Sequence, residues 1–223
     1  MPKIKMPRKS TLIDMTAMCD VAFLLLTFFM LATKFKPDEP VAVVTPSSIN
    51  TKLLPDSDVI LLTVDKDGRV FFTMDGQPKR QQLIEDLNTN FKLNLTPTEI
   101  RNFKVGSSIG TDFKNLGKVL SMTGDERKNS KLETGIPMDS TNNELAIWIE
   151  YARSAQGNNR KLKYCIKADN ETPYPVIKRV LDTFKEKKIQ KLNLVTNLES
   201  KPPGSAAAVY EAEHQNDEPG DEE

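Results

Sequence analysis

Asp20 is a carboxylic acid inside the most apolar part of the chain, the segment "IDMTAMCDVAFLLLTFFMLAT" at residues 13–33. Thr16 precedes it by four residues and Thr27 follows it by seven, so a helix would place all three on nearly the same face as a polar stripe. A carboxyl group in such a position can carry a proton between the two sides of a membrane. It can also serve as a structural contact that hydrogen-bonds a neighbouring helix. The residues alone leave both roles open.

The segment that positions Asp20 is long enough to cross a bilayer. Its strongly apolar part, residues 21–32, is short, but extension to 12–33 gives 22 residues for a hydrocarbon layer about 30 Å thick. A central Asp costs roughly 2.5–3.5 kcal/mol on insertion, and ten Leu, Ile, Phe and Val residues return roughly 3–6 kcal/mol. The margin is small, so we expect a protein neighbour that shelters Asp20.

A cleaved signal peptide is the alternative interpretation of this segment, and two features argue against it. No small-x-small cleavage site follows Ala32, and a signal peptide has no use for two acids before its apolar core. We therefore predict an uncleaved transmembrane helix at 12–33. Residues 1–11 are predicted to be cytoplasmic because they are basic without an acid, with Lys3, Lys5, Arg8 and Lys9.

After the helix, residues 34–57 hold four prolines and are predicted to be a linker, and 58–198 to be a folded domain. Apolar periodicity predicts a hairpin over 59–75, a helix from 79 to 91, and then a closing strand, helix and strand. The fold class is α+β, with two main helices packed on one face of a small sheet. Residues 199–223 form a Pro-, Ala- and acid-rich tail that we expect to be disordered.

Residues 96–160 are polar and are interpreted as a helical and loop insertion into this domain. One helix is clear there, because Thr141 and Glu144 have capping-box spacing and an apolar stripe follows. Trp148 lies on that stripe and is predicted to anchor the core. The Gly/Ser-rich "GSSIG" at 106–110 is interpreted as a loop.

The remaining composition argues against catalysis and nucleic-acid binding. The single histidine, His214, lies in the tail, so a catalytic triad has no base, and we predict no enzyme, no metal and no cofactor. Cys19 and Cys165 are predicted to be unpaired thiols. The 31 basic and 31 acidic residues balance, which gives no reason to expect a nucleic-acid partner.

Three segments are similar to the ExbD/TolR family. The membrane segment resembles the family pattern at Ile13, Thr16, Asp20 and Met30. The segment "LLTVDKDGRVFFTMDGQP" resembles the family's opening hairpin. The closing strand, helix and strand carry an Ile-x-Ala-Asp signature at Ile166, Ala168 and Asp169. The resemblance covers residues 8–95 and 161–198, but not the insert or the tail.

This resemblance implies a single-pass subunit of a proton-driven motor in the bacterial inner membrane, with the domain in the periplasm. Asp20 would carry the proton, with Thr16 and Thr27 supporting it on the pore face. The implied partners are a second copy of the chain, a multi-span ExbB/TolQ-like ring, a TonB- or TolA-like protein and the lipid bilayer. TonB-type outer-membrane transport is our first interpretation.

Three alternatives stay open. The first is a TolR-type role in envelope maintenance, and the second is a membrane-tethered periplasmic binding module without proton chemistry. A flagellar stator is weaker, because no cell-wall-anchoring domain of that kind is recognisable at the C-terminus.

Two residues depart from the family pattern. Asp14 stands where the family has Asn, and Ala17 stands where it has Pro. Asp14 would lie roughly on the opposite helix face from Asp20. It is either a second partner on the proton's exit side or an interfacial acid, and we favour the interfacial acid.

Overall fold

The chain divides into two units, Met1–Lys36 and Pro37–Glu223. In the first, α1 (Met15–Ala32) is an 18-residue helix whose side chains are exposed, apart from a half-exposed Thr27. At about 1.5 Å per residue it is about 27 Å long, and its length and composition suit a membrane span. The computed structural model describes residues 15–32, 41–48, 57–139, 142–157, 159 and 161–199.

The strands of the second unit are β1 (Ser47–Ser48), β2 (Val59–Val64), β3 (Val70–Met74), β4 (Lys163–Ala168), β5 (Leu192–Val195) and β6 (Asn197–Leu198). Four of them form a mixed sheet in the order β3-β2-β4-β5. The hairpin pairs β2 with β3 antiparallel, while β4 lies parallel to both β2 and β5. A separate short parallel pair joins β1 to β6.

Helices pack against the sheet through one continuous apolar core, as predicted for the α+β class. Alternate residues of β2, such as Ile60 and Leu62, are fully buried and meet apolar side chains of the helices. The helices of this unit are α2 (Gln77–Phe91), α3 (Pro97–Val105), α4 (Leu116–Ser121), α5 (Gly124–Asn129), α6 (Glu144–Gln156) and α7 (Tyr174–Glu186).

Local sequence signals explain where several helices begin and end. Pro78 lies in the first turn of α2, and Lys92 closes that helix in the left-handed conformation with φ 51°. The capping box of Thr96 and Glu99 starts α3. Asn143 caps α6, because its side chain accepts from the Ala146 N–H at 3.0 Å. The predicted capping box of Thr141 and Glu144 is therefore wrong, because Glu144 is the first residue of the helix; Thr141 itself lies outside the described residues.

The insert contributes far more to the core than its polar average suggested. It forms four helices, α3 to α6, where the sequence indicated one clearly. Trp148 is fully buried, as predicted, and its ring lies 5.2 Å from Phe72 and 5.8 Å from Phe103. Widely spaced apolar residues were hidden among the Asn, Lys and Ser of this segment, so a composition average missed them.

Backbone from the insert also covers the outer edge of β3. Ile109 exchanges hydrogen bonds with Phe72 at 2.7 and 2.9 Å, and the Ile136 N–H donates to the Val70 carbonyl at 2.9 Å. A Cβ on Gly110 would overlap the Phe71 ring, so only glycine permits this approach. The "GSSIG" loop thus protects a sheet edge that would otherwise expose unpaired backbone groups.

Arg80 of α2 holds the end of α3 in place. Its guanidinium donates to the carbonyls of Phe103 at 2.5 Å and Ser107 at 3.2 Å. It also lies 5.2 Å from the centre of the Phe103 ring. Burial lowers the pKa of Arg80 to about 10, so this cation is kept at an energetic cost that its contacts offset. A cation suits the carbonyl-rich C-terminal end of a helix.

The predicted linker includes a segment that packs on the folded domain. Residues 44–48, which we call the strap, run beside β6: Asn197 N–H donates to the Pro46 carbonyl and Glu199 N–H to the Ser48 carbonyl, both at 2.9 Å. At its other end the Val44 N–H donates to the Asp169 carboxylate at 2.9 Å. The strap was not visible in the sequence because it has no apolar alternation.

Candidate functional site

Asp20 lies near the N-terminal end of α1, and the helix geometry brings it into line with the two predicted threonines. At 100° per residue, Thr27 is displaced from Asp20 by about 20° around the axis and Thr16 by about 40°. Along the axis the separations are about 10 and 6 Å. The three polar side chains therefore occupy one stripe of an otherwise apolar helix.

Thr27 is partly satisfied within the helix. Its hydroxyl donates to the Leu24 carbonyl at 2.9 Å, a side-chain to backbone hydrogen bond that threonines commonly make within helices. The hydroxyl oxygen keeps its capacity to accept a hydrogen bond from another group.

Asp20 is open to a partner. Within residues 15–32 its carboxylate makes no hydrogen bond or ion pair, and the side chain is exposed. One turn further on the same face lie Phe23 and Leu24, 64% and 59% exposed. An ionised carboxylate flanked by such side chains is costly in lipid, so the stripe needs either a protein surface against it or a proton on Asp20.

The other predicted site residue cannot be placed in the same way. Asp14, like Ile13 of the family pattern, lies outside the described residues. Its relation to Asp20 therefore stays a prediction from the sequence.

Asp169, the last residue of the Ile-x-Ala-Asp signature, holds the strap. Its carboxylate accepts from the backbone N–H groups of Glu171 at 3.0 Å and Val44 at 2.9 Å. These two hydrogen bonds lower the pKa of Asp169. Sequence reasoning found Asp169 through the resemblance, but it gave no sign of Val44 as the partner 125 residues away.

The cysteines offer no second chemistry. Cys19 is exposed on α1 and Cys165 is buried in β4, and both are free thiols, as predicted. Burial raises the pKa of Cys165, which disfavours the reactive thiolate. Among the residues that the structure describes, no group of three or more His, Cys, Asp and Glu could hold a metal ion.

Comparison with known proteins supplies the context for this arrangement. No curated protein and no solved structure matches the chain. The family model described as biopolymer transport protein ExbD/TolR matches residues 6–199. The match runs through the insert as well as through the membrane helix and the sheet. It covers nearly the whole chain, and the chain therefore belongs to the ExbD/TolR family.

Proposed function

We propose that this chain is the proton-carrying subunit of an inner-membrane motor of the ExbB–ExbD type, which energises a TonB-like protein for transport across the outer membrane. The observation that carries the proposal is the stripe of Thr16, Asp20 and Thr27 on one face of an apolar helix of membrane length. Family membership gives the coarser frame, a subunit that energises biopolymer transport.

The small energetic margin of the helix supports a role for Asp20 in proton transfer. While neutral, Asp20 can face lipid or an apolar partner wall at low cost, and while ionised it needs a polar contact. Proton exchange thus changes which surface the helix prefers. In our proposal the proton enters from the periplasmic side and leaves towards the cytoplasm.

The driving force for this cycle is the membrane potential and the proton gradient. Moving one charge across 100 mV supplies about 2.3 kcal/mol. That value is comparable to the roughly 2.5–3.5 kcal/mol cost of an aspartate at the centre of a membrane helix. The energy that one proton supplies is therefore of the same order as the cost of moving the ionised Asp20 side chain between two environments.

The proposed partners follow from the exposed helix. The family works with ExbB/TolQ and TonB/TolA-like proteins. For this chain we propose a multi-span ring around two copies of α1, with Asp20 facing the ring. The basic residues before α1 favour a cytoplasmic N-terminus and a periplasmic domain.

Replacing Asp20 by Asn tests the proposal. Asn keeps the size and the hydrogen-bonding ability of the side chain but cannot carry a proton. We expect Asp20→Asn to co-purify with its ring partner in normal amount. Proton flux through the reconstituted complex and force-dependent outer-membrane uptake should fall to background. Full activity of the Asn variant would show that Asp20 is a structural contact.

Two further variants sharpen this test. Asp20→Glu retains a titratable group and should keep part of the flux. Thr27→Val removes the hydroxyl but leaves the carboxylate, so flux should be reduced but not lost. If Thr27→Val and Asp20→Asn are equally inactive, the loss reflects helix packing and not proton transfer.

A TolR-type role in envelope maintenance would use the same stripe and the same kind of ring. Purification of the chain from its native membrane and identification of its neighbours decides between the two roles. A TonB-like protein supports our proposal, and a TolA-like protein supports the alternative.

A further inference from the structure

A groove lies at the end of α7, between that helix and the start of β5. It has a volume of about 480 Å³ and is lined by Leu181, Lys185, Lys188, Ile189, Gln190 and Leu192. We call it the basic groove. Its floor is apolar and its rim carries lysines, so it suits a segment with both apolar and acidic side chains.

The positive charge at this rim is only partly neutralised by the described residues. Lys185 lies 3.4 Å from Asp182, and both side chains are exposed, so that pair is weak. Lys188 of the rim, and Lys191, which lies next to the lining residues Gln190 and Leu192 in the chain, are exposed and make no ion pair among the residues that the structure describes. The rim therefore attracts an acidic ligand.

A second, more polar pocket of about 290 Å³ adjoins the basic groove and shares Lys188 and Ile189 with it. Here Lys187 binds Glu150 at 2.5 Å and lowers the pKa of that carboxyl group. Arg153 lines the same pocket. Glu150 and Glu186 also line it, so its three cations exceed its acids by only one, and most of the positive charge lies at the basic groove.

The end of the chain has the complementary composition. Residues 205–223, "SAAAVYEAEHQNDEPGDEE", carry seven acids and no Lys or Arg. Val209 and Tyr210 precede Glu211 and Glu213, so apolar and acidic side chains are adjacent in this segment. In the groove, apolar and basic side chains are adjacent. We propose that residues 209–223 bind in the basic groove of the same chain, with Tyr210 on its apolar floor.

The chain is long enough to make this contact. From Leu192 to Glu199 the chain covers at most about 25 Å, and from Glu199 to Tyr210 it can extend about 35–40 Å. The segment can therefore return to the groove with slack. Exposed charge pairs are individually weak, but a tethered segment has an effective concentration in the millimolar range, which compensates for low affinity.

Zero-length carbodiimide cross-linking of the full chain in detergent micelles tests the proposal, because it joins a carboxylate to a lysine only when they touch. Mass spectrometry should find tail carboxylates joined mainly to Lys185, Lys188 and Lys191. The yield of these cross-links should fall several-fold between 0.1 M and 1 M salt, because the screening length drops from about 10 to about 3 Å. Equal yields on lysines all over the domain would overturn the proposal.

Matched variants separate the groove from general attraction. The double change Lys185→Gln and Lys188→Gln should remove most tail cross-links, whereas Lys114→Gln with Lys118→Gln, exposed lysines on the insert, should leave them unchanged. Tyr210→Ser keeps every acid and should still lower the yield, because the apolar contact is lost. An unchanged yield for Tyr210→Ser contradicts a seated segment.

A mixture of isotope-labelled and unlabelled chains shows whether the cross-linked tail belongs to the same chain as the groove or to a second copy. Cross-links within one chain support the proposal. Mixed heavy and light products show that the tail binds a second copy and overturn it. A third outcome would assign the groove to a membrane surface. In that case no tail cross-link forms, and Lys185 and Lys188 are protected from acylation only when anionic lipid vesicles are present.

Discussion

Two carboxylates on one apolar segment, Asp20 and Asp14, are expected to behave differently. Asp20 lies one residue before the strongly apolar run, on the helix face that also carries Thr16 and Thr27. Asp14 comes six residues earlier in the sequence, and we propose that it lies where the span meets the headgroup region. An acid at that depth can stay hydrated, so its charge costs little.

We therefore expect Asp14→Asn to be tolerated. Assembly, proton flux and outer-membrane uptake should stay within about twofold of the wild type, since a hydrated acid contributes little to the insertion balance. The same assays that test Asp20→Asn apply here, with the two variants compared in parallel. Equal damage from both changes would make Asp14 a second member of the proton path.

At the scale of elements, the strap is the least expected feature. Residues 44–48 contact the domain at both ends. At one end they bind Asn197 and Glu199, and at the other the Val44 N–H donates to the Asp169 carboxylate while the Val44 carbonyl accepts from the Asn170 N–H, both at 2.9 Å. The Val44 side chain is 68% exposed, so apolar burial does little to hold that end of the strap. The hydrogen bonds of Val44 with Asp169 and Asn170 are therefore expected to hold this end, and the Asp169 carboxylate is the only acceptor that they give to the Val44 N–H.

Acid should loosen the strap at Asp169. Because two N–H donors lower the folded-state pKa of this carboxyl group below its ordinary 3.8, its contribution is fully present above about pH 4. The contribution is lost as the pH falls through the lowered folded-state value. Amide hydrogen exchange at Val44, followed by NMR of the full chain in micelles, should show protection that declines over that acidic range.

Two substitutions test this attachment. Asp169→Ala removes the acceptor and should abolish Val44 protection at every pH. Asp169→Asn keeps one acceptor oxygen and should give weaker protection without the acid-dependent loss. If the protection of Val44 in Asp169→Ala equals that of the wild type, the contacts to Asn170 and β6 hold the strap without Asp169.

At the scale of the whole molecule, the insert is part of the domain core and not an appendage. Its residues Phe103, Leu116 and Trp148 belong to the same apolar cluster as the sheet. Its backbone also closes the β3 edge. The domain should therefore unfold in one cooperative step that includes the insert.

Trp148→Ala tests this view of the insert. Loss of a fully buried aromatic side chain should lower the free energy of unfolding by about 3–5 kcal/mol. Val105→Ala, a change of a 60% exposed residue in the same insert, should stay within about 0.5 kcal/mol. Denaturant unfolding of the full chain, followed by circular dichroism, measures both. If Trp148→Ala leaves the unfolding transition of the domain unchanged, the insert is an independent unit.

The sequence by itself determined the parts of the chain whose signals are local. An apolar run of membrane length is recognisable without knowledge of its neighbours, because the thickness and apolarity of the bilayer determine its length and composition. The same holds for the β2–β3 hairpin, for α2, and for the closing β4, α7 and β5, where periodicity of two or 3.6 marks the buried face. Asp20 stood out for a related reason, since one charge in an apolar run is visible without any fold.

Only the tertiary structure decided which distant segments meet. The contact of Val44 with Asp169 joins residues 125 positions apart through one backbone N–H, and a backbone group has no sequence signature. The addition of Ile109 to the edge of β3 depends on the room above Gly110, which follows from packing and not from pattern. The core role of the insert emerged in the same way, because its apolar residues become neighbours only when four short helices pack against the sheet.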